Sequence, residues 1–139
     1  MRIVIDTNVF ISATFWTGKP KQLLNKVRRG EITFLTSEIL LNELKEVLVR
    51  EDKPFKLSAE EADRVVAMMR DLAEIINAYS RVTACQDERD NRVLECAIDG
   101  RGECIISGDT HLLEMKSFKG VRIMTVSEFL SESAFKPSD

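Results

Sequence analysis

Cysteine and histidine are scarce in this 139-residue chain, which has three of the first (Cys85, Cys96, Cys104) and one of the second, His111. An odd set of cysteines with no CxxC pair builds neither a disulfide framework nor a zinc ribbon, so a reduced, cytoplasmic setting is expected. Long hydrophobic runs are also missing. The opening MRIVIDTN is interrupted at Asp6 before it reaches the length of a signal-peptide core, and nothing further along could span a bilayer, so no membrane association is expected. Strong positive charge is absent too: the net charge of -3 excludes a protein that holds nucleic acid by bulk charge alone, leaving only a local basic patch for that purpose. There is no internal repeat and no low-complexity tract.

What is present is an ordinary globular composition, 44% hydrophobic, enough to bury one core. It predicts a single domain over residues 1–134 with a short tail, 135–139, whose end Lys136-Pro137-Ser138-Asp139 is expected to fray. Arg2 to Ile5 reads as a buried strand that feeds a turn or helix at Asp6-Thr7-Asn8. A helix follows over Lys21 to Arg29, stopped by Gly30, and a strand over Ile32 to Leu35. Ser37 caps a helix carrying Ile39, Leu40, Leu44, Val47 and Leu48, which ends near Arg50. After a loop at Asp52 to Leu57, Ser58-Ala59-Glu60-Glu61 forms a capping box. The helix it opens has a buried stripe of Ala62, Val65, Val66, Met69, Leu72, Ala73 and Ile76. A short strand is expected at Val82 to Ala84, then a helix capped by Asp87 with Val93, Leu94, Ala97 and Ile98 inward. Strands at Cys104 to Ile106 and Val121 to Val126 complete the pattern, the latter before a helix from Ser127. Strands alternating with helices predict an α/β fold in three layers, a mostly parallel sheet flanked by helices with right-handed crossovers.

Within that frame four acids fall where chemistry is done. Asp6 and Asp109 each follow a buried strand immediately, and open parallel sheets bind ligands beyond the carboxyl ends of their strands. Helix capping is the competing role for each. On a wheel of roughly 100° per residue, Glu43 lies at about a right angle to the apolar centre of its helix, nearer the core than Glu38 or Glu46; a solvated helix edge is the alternative. Asp90 sits three and four residues before Val93 and Leu94 and leans toward the buried stripe, although it would also complement the helix dipole. Carboxylates that converge in one pocket repel one another until a cation neutralises them. A donor set of oxygens alone suits Mg²⁺ or Mn²⁺ rather than zinc.

These residues together resemble the PIN-domain family. The likeness is carried by IVIDTNVFIS from Ile3 to Ser12, the helical Glu43, DERDNRVLECA from Asp87 to Ala97 and IISGDTHLL from Ile105 to Leu113, and it covers most of the chain in order. It is strongest to the bacterial and archaeal VapC-like toxins of toxin–antitoxin pairs. The resemblance implies that Asp6, Glu43, Asp90 and Asp109 are the metal-ligand and catalytic acids, supported by Asn8 and Ser107. It implies a metal-dependent endoribonuclease acting on RNA, with an antitoxin protein as partner and a homodimer as the frequent assembly. Because DERD offers two acids, Asp87 competes with Asp90 for the third place; Asp90 is preferred for its position ahead of the helix stripe. Arg89 and Arg92 flank Asp90 and are the candidate phosphate contacts, while His111 is expected at the surface of a helix start. Phe15 and Trp16 offer faces for stacking on a base or packing in a dimer, or they bury one another. Two rival readings stand: an inert module of the same fold that binds RNA or a protein partner, and a phosphatase with Asp6 as nucleophile. The second lacks the usual partner acid, since Asn8 occupies that place.

Overall fold

The computed structural model describes residues 1–135 of the chain, so the tail expected to fray, Lys136 to Asp139, lies outside the described residues. Its first strand, β1 (Arg2–Ile5), is buried on both faces, as a β-branched run at the centre of a parallel sheet requires. Two helices, α1 (Thr7–Phe15) and α2 (Lys19–Arg28), return the chain to β2 (Thr33–Thr36). Helices α3 (Glu38–Leu48) and α4 (Ala59–Leu72) lead to β3 (Ala73–Ile75). From there α5 (Glu88–Asp99) crosses to β4 (Cys104–Ile106). The chain ends with α6 (Thr110–Met115), β5 (Ser117–Phe118), β6 (Val121–Met124) and α7 (Val126–Phe135).

The six strands stand in the order β3-β2-β1-β4-β6-β5, all parallel except β5, which forms a hairpin with β6 through Lys119 and Gly120, both at positive φ. Alternating side chains sort the core into two halves. Ile3, Ile5, Phe34, Cys104 and Ile106 pack with α1, α2, α3, α4 and α7 on one face. Val4, Leu35 and Ile105 pack with α5 and α6 on the other. This is the three-layer α/β arrangement expected from the alternation of elements. Since β2 follows β1 on one side and β4 lies on its other side, the chain reverses direction across the sheet between β1 and β4, which opens a crevice beyond their carboxyl ends.

Local signals placed several boundaries well. Ser37 Oγ accepts from the Leu40 N–H, and Ser58 with Glu61 forms the reciprocal capping box. Asp87 caps α5 by accepting from the Arg89 N–H. Three expectations are corrected. The helical stripe does not run on to Ile76: α4 ends at Leu72, and Ala73–Ile75 pairs with Phe34–Thr36, because β2 would otherwise leave a row of backbone groups without partners. Within the stripe Val65, Val66, Leu72 and Ala73 are half-buried, Ala62 and Met69 are buried on α4, and Ile76 is buried as expected but beyond the helix. Val82 to Ala84 is not a strand. The backbone of Val82 is bonded by side chains instead, its N–H donating to Glu95 Oε2 at 2.8 Å and its carbonyl accepting from Arg92 at 3.5 Å. The last helix starts one residue before Ser127. Its entry is set by Thr125, whose N–H donates to Glu128 Oε1 while its hydroxyl accepts from the Glu128 N–H.

Candidate metal centre at the β1–β4 crevice

Asp6 is the first residue past β1, and its N–H still completes the sheet by donating to the Ile106 carbonyl of β4 at 2.9 Å. Its position is the N-cap of α1, yet its side chain makes no cap hydrogen bond. The Thr7 and Asn8 N–H groups still draw its carboxyl toward ionisation, so the capping role that competed for this residue is filled only weakly. Oδ2 instead accepts from the Ser107 hydroxyl at 2.7 Å. Ser107 is buried, and its Oγ accepts in turn from the Asp109 N–H at 2.9 Å. One hydroxyl thus ties the two strand-end acids together across neighbouring strands. Asp109 itself does cap α6, with Oδ1 accepting from the His111 N–H at 2.8 Å.

The electrostatics of the acids are mutual. Burial holds the Asp6 carboxyl above the ordinary range; the Ser107 hydrogen bond opposes this and the charge of Asp109 adds to it. Glu43, half-buried on α3, is pushed up to about 7, by burial first and then by the charge of Asp6, with Asp87 and Asp90 adding to it and Arg89 working against them. Asp90 is buried in the first turn of α5 and is pushed up to about 6 by burial, by the neighbouring Asp109 carboxylate, and by Asp87 and Asp6. Acids from β1, α3, α5 and the β4–α6 turn therefore act on one another in one place. Asp87, the other acid of the DERD run, is exposed and spends its carboxylate on the α5 cap.

Two clefts open on these residues. One, of about 320 Å³, is lined by Asp6, Asn8, Ser12, Pro20, Gly108 and Asp109 among others, so Asn8 faces the same space as the two strand-end acids. The other, of about 470 Å³, lies between the 84–87 segment and α6 and includes Asp87, Asp90 and the exposed His111.

The donor chemistry fits a hard divalent cation: every ligand candidate is a carboxylate, three of them resist ionisation first through burial and then through the charge of their acidic neighbours, and the Arg89 charge works against this at Glu43. Among the described residues, however, no three carboxylate, thiol or imidazole side chains are already gathered into a metal cage. The acids share a site without being closed around a point.

Of the two arginines expected at the phosphate, Arg89 is exposed beside Glu43. Arg92 is turned away, held by Glu95 at 3.0 Å and Glu88 at 3.3 Å and reaching the Val82 carbonyl. Phe15 and Trp16 close against Phe55, whose ring stacks on Phe15 at 5.5 Å, and both remain partly exposed.

The reading of the sequence missed a row of polar residues on α5. Asn91, Glu95 and Asp99 recur every fourth residue and bind the backbone of the 76–87 segment in order. Asp99 accepts from the Tyr79 and Ser80 N–H groups, Glu95 from Val82, and Asn91 pins Cys85 through both its N–H (2.8 Å) and its carbonyl (2.9 Å). Their spacing, in phase with Leu94 and Ile98, was the available signal: polar residues on the inward face of a helix need partners there.

Comparison with known proteins places this geometry. The model of the PIN domain matches residues 2–111. The uncharacterized protein MJ1680 of Methanocaldococcus jannaschii is 27% identical over 150 aligned positions, covering 95% of this chain and 91% of that protein. A chain in the crystal structure of VapBC2 from Rickettsia felis, bound to a DNA fragment from its promoter, superposes with a TM-score of 0.61 at 13% identity, over 88% of this chain and 97% of that one. That likeness is one of fold. PIN-domain nucleases generally use divalent metals, in keeping with the all-oxygen character of the candidate donors. With the family model spanning most of its length, and Asp6 and Asp109 at the crevice between β1 and β4, this chain belongs to the PIN-domain family of nucleases.

Proposed function

We propose that residues 1–134 act as one domain, a Mg²⁺- or Mn²⁺-dependent endoribonuclease that hydrolyses RNA phosphodiester bonds, and that the protein is the toxin of a toxin–antitoxin pair. The observation that carries the reading is the Asp6 carboxylate, tied through Ser107 to Asp109 and adding its charge to the burial that raises Glu43 and Asp90. Asp6, Glu43, Asp90 and Asp109 are the oxygen ligands. A bound divalent cation supplies Lewis-acid activation of the phosphodiester and of the attacking water. Ser107 fixes the direction of Asp6 and the N–H of Asp109, Asn8 borders the same cleft, and Asp87 holds the start of α5 that presents Asp90. Arg89 is the phosphate contact at the rim; Arg92 supports α5 from behind through its acidic neighbours. The antitoxin partner is suggested by the fold shared with the VapBC2 complex, and a homodimer by the family resemblance.

The test is cleavage of a mixed RNA pool with Mg²⁺ or Mn²⁺, beside EDTA and the Asp6→Asn and Asp109→Asn variants. Metal-dependent cutting is expected in the parent, with a loss of at least about a hundredfold in Asp6→Asn at unchanged helical content. Full activity in Asp6→Asn overturns the proposed site. Absence of cutting and of metal binding under every condition leaves the inert binding module.

A further inference from the structure

The cleft between the 84–87 segment and α6 is larger than access to a single carboxylate calls for. Its volume of about 470 Å³ falls among pockets that seat small molecules, roughly 300–1,000 Å³. Asp90 is shared between this cleft and the acidic centre, so whatever occupies it lies beside the reacting bond. Asp87 and Asp90 repel a phosphate group there but tolerate a neutral one. Ala84 and Met115 contribute apolar surface, and Met115 Sδ lies 3.7 Å from Cys85 Sγ, giving two polarisable sulfurs of the kind that pack against aromatic rings. Gln86 and His111 add groups that both donate and accept hydrogen bonds. The wall is preorganised, because Asn91 holds both backbone groups of Cys85 and Asp87 caps α5. A flat, neutral, aromatic group with donors and acceptors on its edge matches this lining, and a nucleobase is such a group.

We propose that this cleft seats the base of the nucleotide adjoining the phosphodiester at the acidic centre, with Gln86 reading the base edge. The inference rests on the nuclease reading for what is cut, but base binding can be measured without cutting. Cys85 is the reporter, since it lines the cleft while Cys96 and Cys104 are buried. The rate of maleimide labelling at Cys85 in the full chain is followed by mass spectrometry with each of the four ribonucleoside monophosphates, and with ribose 5-phosphate as control. At about ten times the dissociation constant, at least one nucleotide is expected to slow labelling about tenfold while ribose 5-phosphate does not. In parallel, Gln86→Ala, at an exposed position, is compared with the parent by mapping cut sites in the RNA pool. Gln86→Ala is expected to flatten the base preference beside the cut.

Equal slowing by ribose 5-phosphate, or none by any nucleotide, overturns the proposal. Nucleotide protection in a protein that cuts no RNA keeps the pocket and removes the nuclease. Cutting with an unchanged preference in Gln86→Ala and no protection does the reverse.

Discussion

Ser107 carries two hydrogen bonds on one oxygen, and its place in the sequence, between a strand and Asp109, says only that it is polar at a strand end. Replacement by alanine leaves the Asp109 N–H without its buried acceptor and frees the Asp6 carboxylate. The expected stability loss is about 1–3 kcal/mol in urea denaturation. Apparent metal affinity should fall about 10–100-fold, as for other residues that orient a ligand without touching the metal. An unchanged metal titration curve in Ser107→Ala would show that Asp6 needs no such support. Glu43 tests the electrostatics at the same scale. With its carboxyl raised to about 7, the folded chain holds the proton more tightly than the unfolded one. Its contribution to metal-free stability is therefore present below the ordinary glutamate value and lost as pH rises toward and past 7. Glu43→Gln should accordingly raise the urea midpoint at about pH 8 and lose that advantage by about pH 4.5. An equal effect at both values contradicts the crowding of acids.

At the scale of elements, α5 does more than cross the sheet. Its polar row Asn91, Glu95 and Asp99 lays down the segment from Tyr79 to Cys85, which has no strand partner. Burial works against charge on Asp99, but the Ser80 hydroxyl and the Ser80 and Tyr79 N–H groups outweigh it and leave its carboxyl below the usual range. Asn91→Ala removes both partners of the Cys85 backbone at once. It should cost about 1–3 kcal/mol and speed thiol labelling at Cys85, a local readout separate from global unfolding. Retained protection of Cys85 in this variant would mean that packing alone holds the segment. The misread strand at Val82 to Ala84 and the missed strand at Ala73–Ile75 share a cause. Both segments have the composition of either state, and what decides between them is whether a neighbour offers backbone partners: β2 does at Ala73–Ile75, and only side chains do at Val82.

For the whole molecule, the acids come from four separate elements, so a cation that bridges them should stabilise the fold as a unit. Added in large excess over its dissociation constant, a ligand of the folded state contributes about 2.7 kcal/mol at a hundredfold excess, on the order of 10 °C in melting temperature for a domain of this size. The EDTA-treated protein is thus expected to melt higher with Mn²⁺ or Mg²⁺. The rise should shrink at about pH 5.5, where protons compete for Glu43 and Asp90, and disappear in Asp6→Asn. Thermal denaturation followed by circular dichroism measures this without any substrate. A melting temperature indifferent to metal at every pH would argue that the acids do not share an ion.

The periodicities of the sequence determined the alternation of strands and helices and hence the parallel three-layer sheet, because buried strands and amphipathic helices differ in local spacing alone. Caps at Ser37, Ser58 and Asp87 were legible for the same reason: each concerns a hydrogen bond three residues long or less. The sequence also marked Asp6, Glu43, Asp90 and Asp109 as candidates, through strand ends and helix phase. Only the tertiary structure decided that Asp6 takes the Ser107 hydroxyl as its partner, that Arg92 faces Glu95 instead of the crevice, and that Asn91 builds the wall of a cleft. Each of those depends on which strands and segments become neighbours. Partner choice across a hundred residues is set by packing and by the need to satisfy buried polar groups, neither of which is written in any local pattern.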